Sequence, residues 1–131
     1  MILGLGSDII EVERIGHAIK KHGQPFLDRL FTAEEQKYCQ SFINSSQRFA
    51  GRFAAKEAVA KALGIGIGTK LGWLDIEIIN NPQGKPIVTL SPKAQKQFHN
   101  PQLLITISHC KQYATASALN SELYINAPDT I

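Results

Sequence analysis

Glu57 and Lys61 stand four residues apart in the run Ala54-Ala55-Lys56-Glu57-Ala58-Val59-Ala60-Lys61, which is otherwise mostly small and apolar. On a helix that spacing puts them about 40° apart on one face, beside Ala50, Phe53, Ala54 and Ala58. One reading is an exposed ion pair, stabilising by roughly 0.2–0.5 kcal/mol. The other is a packed face, where a charged pair needs a metal, a phosphate or another charge to offset its desolvation. Spacing alone leaves both open. Asp8 raises a related question, because aspartate is depleted in strands and this one follows apolar residues and glycines. It is either an edge or turn residue or a ligand for a hard cation. Mg²⁺ takes one or two carboxylates together with substrate phosphate and water. Asp8 and Glu57 supply two if the first strand packs on the long helix.

Three further features bear on chemistry. His109 ends the apolar run Leu104-Ile105-Thr106-Ile107-Ser108 and enters a loop, where side chains meet ligands more often than in a core. The run Gly64-Ile65-Gly66-Ile67-Gly68 is not a phosphate loop: it follows a helix instead of opening one, and it fits neither glycine-rich nucleotide motif. Arg14, His17 and Lys21 share one helical face, which is either simply solvated or suited to an acidic partner helix.

The elements that must position these residues are legible in the pattern. Ile2 to Val12 reads as a strand in which Gly4 and Gly6 allow close backbone approach. A helix follows from Glu13 to near Gly23, stopped before Pro25, and Phe26 to Phe31 forms a helical turn. Thr32 and Glu35 make a capping box. Ser45 or Ser46 opens the longest helix, which runs to Leu63 and is closed by Gly64. Leu74–Ile79 and Pro86–Leu90 read as hairpin strands around an Asn80–Gly84 turn. Ser91 and Pro92 start a short helix to Phe98. Leu103–Ser108 and Tyr113–Tyr124 read as strands joined by a turn at 109–112. The expected class is α+β, a mainly antiparallel sheet packed against a long helix. The expected organisation is one domain over residues 1–125 with a tail at 126–131.

Composition sets the bounds. The 131 residues, 44% hydrophobic and 19% charged, suit one soluble globular domain. The formal charge of +3, from 14 basic and 11 acidic residues, is spread evenly and argues against a nucleic-acid partner. Cys39 and Cys110 show no zinc spacing and suit a reducing compartment. No apolar run approaches the roughly 18–20 residues of a membrane span, and the N-terminus carries no basic leader. The expectation is a cytoplasmic protein with no membrane or nucleic-acid partner.

Taken together, Gly4-Leu5-Gly6-Ser7-Asp8 with Arg14, Gly51-Arg52-Phe53-Ala54-Ala55-Lys56-Glu57-Ala58 with Lys61-Ala62-Leu63-Gly64, Asp75-Ile76-Glu77-Ile78, Gly84-Lys85-Pro86 and Ser108-His109 resemble the bacterial holo-[acyl-carrier-protein] synthases. These are the short class of 4′-phosphopantetheinyl transferases. The resemblance covers nearly the whole chain, and Phe53-x-x-Lys56-Glu57-Ala58-x-x-Lys61 with the early aspartate is its specific part. It implies Mg²⁺-dependent transfer of phosphopantetheine from coenzyme A to a serine of apo acyl carrier protein, in support of fatty acid biosynthesis. It implies that Asp8 and Glu57 hold the metal, that Glu57 and Lys61 are catalytic, and that Lys61 meets the pyrophosphate. Arg52, His109, Gly84, Lys85 and Pro86 match regions that hold the nucleotide end. Arg14 and Lys21 match the surface that receives the carrier's acidic helix. The family assembles as homotrimers with sites between protomers. Ile9 and Ile10 follow Asp8 where the longer class adds a third carboxylate, so water is expected in that place. The serine proton leaves either to Glu57 or to a water on the metal, the water being favoured because a metal-held carboxylate is a weaker base. The rival reading is a non-catalytic carrier-binding or scaffold protein of the same fold.

Overall fold

Close contact between one strand and one helix organises the chain. The computed structural model describes Met1 to Glu122. Strand β1 (Ile2–Glu11) leads into α1 (Val12–His22), α2 (Gln24–Leu30), α3 (Ala33–Gln40) and the long α4 (Ser45–Ala62). A short 3-10 turn (Trp73–Asp75) precedes β2 (Ile76–Asn80) and β3 (Pro86–Leu90). Then come α5 (Pro92–Gln97), β4 (Gln102–His109) and β5 (Tyr113–Ser121). All pairings are antiparallel, and the strands divide into a three-stranded sheet ordered β1-β5-β4 and a separate β2-β3 hairpin.

Period-2 alternation turns Gly4, Gly6, Asp8 and Ile10 of β1 toward α4, Gly4 opposite Asn120 of β5 and the other three opposite Ala118, Ala116 and Ala114. These three alanines are buried, as are Ala58 and Ala62 of the helix. A Cβ on Gly4 would lie 1.9 Å from the Ala62 carbonyl oxygen, and one on Gly6 would lie 2.1 Å from that of Ala58. Glycine therefore sets the distance between strand and helix. The larger core side chains, including Phe31, Leu71, Ile76 and Ile78 together with Phe49 of α4 itself, complete the core. Phe31 and Phe49 meet with ring centroids 4.9 Å apart.

Local signals act as expected. Thr32 Oγ1 accepts the Glu35 N–H at 3.2 Å, and Glu35 Oε1 accepts the Thr32 N–H at 2.8 Å. Gly64, at φ 78°, ends α4 with N–H bonds from Gly64 to Lys61 O (3.0 Å) and from Ile65 to Ala60 O (3.1 Å), the paired closure of a Schellman cap. Ser91 Oγ caps α5 by accepting the Ala94 N–H at 3.2 Å. Several boundaries move. Leu74 and Asp75, expected in a strand from Leu74, lie in the 3-10 turn before β2, where Asp75 Oδ2 accepts the Gly72 N–H at 2.8 Å. Val12 begins α1 instead of ending β1, with its side chain buried and its N–H bonded to Gln112 O at 2.9 Å. Pro25 lies in the first turn of α2, where its missing N–H costs nothing. Leu123 and Tyr124 of the expected last strand, and the expected boundary after residue 125, lie outside the described residues. Among the described residues no helix is long and apolar enough to cross a membrane.

Gly6→Ala should destabilise the fold by about 2–3 kcal/mol, since backbone must move to admit the methyl group. Gly66 has open space and no left-handed φ, so Gly66→Ala should be neutral or stabilising by about 0.4–1 kcal/mol. Denaturant unfolding of the two variants, side by side, checks the contrast.

Candidate functional site

The contact between β1 and α4 brings Asp8 to the helix face that carries Glu57 and Lys61. Lys61 Nζ donates to Ser7 O at 2.9 Å and lies 3.3 Å from Asp8 Oδ1. The i,i+4 ion pair with Glu57 does not form; Lys61 reaches across to β1 instead. Glu57 has no hydrogen-bond or ion-pair partner among the described residues. Burial lifts its carboxyl above the ordinary glutamate range, the Asp8 charge adds to that, and Lys61 opposes it. Two neighbouring carboxylates, with Glu57 lacking a hydrogen-bond or ion-pair partner among the described residues, are a donor set that fits a divalent cation. Among the described residues no group of three or more His, Cys, Asp or Glu side chains gathers as a metal cage. The pair therefore matches an ion that keeps water and substrate oxygens as its remaining ligands.

Lys56, one residue earlier, points elsewhere. Its ammonium is fully buried, 2.7 Å from Glu35 Oε1, and donates to Leu30 O (2.7 Å) and Trp73 O (3.0 Å). Burial pulls Lys56 below the usual lysine range while the Glu35 charge pulls it back up. Glu35 Oε2 also accepts the Ile78 N–H at 2.8 Å. The capping glutamate of α3 is thus the buried counter-ion that ties α4 to α2, α3 and β2. This second duty has no local signal, because its partners lie 21 and 43 residues away.

A second constellation lies on the far side of α4. A cleft of about 180 Å³ is lined by Arg52, Gly84, Pro86 and His109, all expected here, and by Tyr38, Gln47, Arg48, Gly51, Asn80 and Ile107. The Lys85 side chain is not part of this lining. Arg52 Nη2 donates to Asn80 Oδ1, and Asn80 Nδ2 donates to Gly84 O at 2.8 Å, so Asn80 clamps the hairpin turn to the helix. Gly84 holds φ 89° in that turn. Arg48 and Arg52 make no ion pair among the described residues, and the Nε of each is buried without a hydrogen-bond partner. Burial, with Arg48 adding to it, keeps the His109 imidazole below the usual histidine range. Unneutralised cations toward the N-terminal end of α4 give this cleft a positive lining suited to an anion. Sequence reasoning missed Arg48 and Asn80. The Arg48–Arg52 spacing of four was the available signal for the first.

Arg14 and Lys21 lie together on the outer face of α1, where with His17, Ala18 and His22 they line a shallow cleft of about 390 Å³ that also meets Glu11 and Glu13.

Comparison with known proteins identifies the relatives. The family description "4'-phosphopantetheinyl transferase superfamily" matches residues 4–118. The chain is similar to the holo-[acyl-carrier-protein] synthase of Protochlamydia amoebophila, at 56% identity over 119 residues, 91% of this chain and 98% of that one. It is also similar to the crystal structure of the Helicobacter pylori holo-[acyl-carrier-protein] synthase in complex with coenzyme A, with TM-score 0.82 and 38% identity over 89% of this chain and 99% of that one. A third match is the Bacillus anthracis synthase in complex with CoA (3',5'-ADP), with TM-score 0.79 and 38% identity over 92% of this chain and 96% of that one. The chain belongs to the 4'-phosphopantetheinyl transferase superfamily.

Lys56→Met removes one partner of a buried ion pair and should cost about 3–5 kcal/mol of stability. Adding Glu35→Gln, which removes the stranded charge, should recover a substantial part of that loss. Chemical denaturation of the single and double variants measures both.

Proposed function

We propose that this superfamily member transfers the 4′-phosphopantetheine group of coenzyme A to a serine hydroxyl of apo acyl carrier protein, releasing adenosine 3′,5′-bisphosphate. The convergence of Asp8, Glu57 and Lys61 at one end of α4 carries the reading. In the reaction the serine oxygen bonds to the phosphorus next to pantetheine, the bond from that phosphorus to the bridging oxygen breaks, and the serine proton passes to a base. Negative charge grows on the phosphoryl oxygens and on the departing bisphosphate. Lys61, already turned to Asp8, donates to those oxygens, an interaction that strengthens as the charge develops. Asp8 and Glu57 would hold Mg²⁺, which supplies further neutralisation of the pyrophosphate. Arg48, Arg52 and His109 meet the 3′-phosphate of the nucleotide end, while Asn80 and the turn through Gly84 and Pro86 shape the wall beside it. Lys85 extends the rim of that turn. Intact metal and phosphate groups speak against the scaffold reading, since a binding protein has no need of them.

The remaining parts of the reading are structural. Arg52 and Glu57, five residues apart on α4, point about 140° away from each other. A coenzyme A that reaches both constellations therefore spans two chains. The sheet face turned away from α4 exposes Leu3, Leu5 and Ile9 at 56%, 71% and 61%, a patch that suits the seam of a homotrimer. Arg14 and Lys21 offer cations to the acidic helix of the carrier. The reading includes a cytoplasmic setting and a place in fatty acid biosynthesis; the free thiols of Cys39 and Cys110 suit a reducing compartment.

Incubating the chain with coenzyme A, Mg²⁺ and apo acyl carrier protein should add the mass of one phosphopantetheine to the carrier, and mass spectrometry that finds none sinks the reading. Glu57→Gln should need more Mg²⁺ for half-maximal rate and recover most activity at saturation; a loss that no amount of metal restores would make Glu57 the proton acceptor. Lys61→Ala and Arg52→Ala chains should each be impaired, whereas a 1:1 mixture reassembled from both should regain activity in about a quarter of its sites. No regain on mixing would put each site within one chain.

A further inference from the structure

The face of α3 that meets α4 carries Glu35 and Tyr38 and continues to Phe42 in the turn beyond. Opposite it, α4 presents Arg48, Arg52 and Lys56, each four residues from the next and so about 40° apart along one stripe. The partners pair in antiparallel order. Lys56 meets the carboxylate of Glu35. The Arg52 guanidinium carbon lies 4.4 Å from the Tyr38 ring centroid, and that of Arg48 lies 4.0 Å from the Phe42 centroid. The two rings contact each other edge-on with centroids 5.1 Å apart, so rings and guanidinium groups form one contiguous cluster.

The change of partner along this stripe has a chemical consequence. A carboxylate occupies the in-plane N–H donors of a guanidinium and cancels its charge. An aromatic ring takes only the face, leaving charge and edge donors for a ligand. Lys56 is neutralised and buried, so it serves the fold. Arg48 and Arg52 are held just as closely yet stay unneutralised, Arg52 at 4% exposure and spending one Nη on Asn80. The rings attract each guanidinium through its face but cancel none of its charge, so both arginines keep it without a carboxylate. That arrangement prepares a site for a dianion.

We propose that Tyr38 and Phe42 are positioning residues that hold Arg52 and Arg48 ready for the 3′-phosphate of coenzyme A, so that they set the enzyme's preference for the 3′-phosphorylated donor. The inference rests on the transfer reaction proposed above. Within that reaction the pyrophosphate belongs to the opposite constellation at Asp8, Glu57 and Lys61. The 3′-phosphate is the remaining strongly anionic group, a monoester carrying a charge of about −1.5 to −2 at neutral pH. Neither aromatic side chain needs to touch it; each acts through the arginine it stacks on.

The test compares coenzyme A with dephospho-coenzyme A, which lacks that phosphate, as donors. Phe42→Leu and Tyr38→Leu keep apolar volume but remove the ring faces. Each should raise KM for coenzyme A roughly three- to tenfold, with KM for dephospho-coenzyme A held within about twofold. Phe42→Trp and Tyr38→Phe restore a ring and should restore the preference. Calorimetric binding of adenosine 3′,5′-bisphosphate against adenosine 5′-monophosphate gives the same comparison without turnover, and on protein confirmed as folded by its melting curve. Equal weakening toward both members of either pair reduces the rings to ordinary packing and overturns the proposal. So does an unchanged preference in the leucine variants. A wild-type chain that neither binds the bisphosphate nor modifies a carrier would instead remove the transfer reading itself.

Discussion

The distance between β1 and α4 is the constraint on which the rest of the molecule depends. Backbone faces backbone there, Gly4 against Ala62 and Gly6 against Ala58, with no room for a methyl group on the strand. A strand alternates every second residue and a helix turns every 3.6, so the two remain in step for a short stretch only. That stretch ends with Asp8 beside the Glu57 and Lys61 face. Had the strand stood a side chain's width further off, Lys61 would lose its bonds to Ser7 O and Asp8. Glu57 would then be a lone carboxylate on an alanine-rich helix. Close packing of small residues thus does the electrostatic work of gathering opposite and like charges in one place.

From that contact, α4 distributes charge by angle. Lys61 and Glu57 serve the strand side, and the stripe of Lys56, Arg52 and Arg48 serves α3. Within that stripe one ammonium is neutralised by Glu35 and two guanidinium groups are not. The neutralised member lies deepest, where an unpaired charge costs most. The unneutralised members lie toward the helix N-terminus, beside the turn that Asn80 ties down and beside His109. The same helix is therefore a core element at Lys56 and a cleft-lining element one and two turns earlier. It accomplishes this with side chains of one sign.

Much of this was legible in the sequence because much of it is local. The capping box at Thr32, the glycine closure at Gly64, the proline start of α5 and the alternation of the strands are short-range patterns whose physics does not depend on the fold. Asp8, Glu57 and Lys61 were legible as suspects because polar residues in apolar surroundings need an explanation. Their roles came from resemblance, since spacing could not separate a surface pair from a site. The hidden parts are long-range. Glu35 has a complete local role as a cap, and nothing nearby announces its bond to Lys56. Phe42 sits in a turn between helices, and its stacking on Arg48 depends on α3 and α4 running antiparallel. The division of the strands into a three-stranded sheet and a separate hairpin was equally hidden, because alternation specifies faces and not partners.

The geometry of α4 also bears on why such a fold would associate. The helix turns one constellation toward β1 and the other toward α3 and the β2-β3 turn, on sides about 140° apart. Bending the helix would break the glycine contact, and lengthening a side chain would not close an angle of about 140°. In the proposed trimer a second copy would bring the other constellation within reach on an identical frame, without altering either half. The sheet face away from α4 is free for that purpose, being apolar at Leu3, Leu5 and Ile9 where it would otherwise meet water. In the proposed trimer one strand would serve two contacts: its even residues fix the helix, and its odd residues would offer the surface on which copies meet. Changing β1 by one residue of register would exchange the two faces, separating Asp8 from Glu57 and turning Leu3, Leu5 and Ile9 toward the helix.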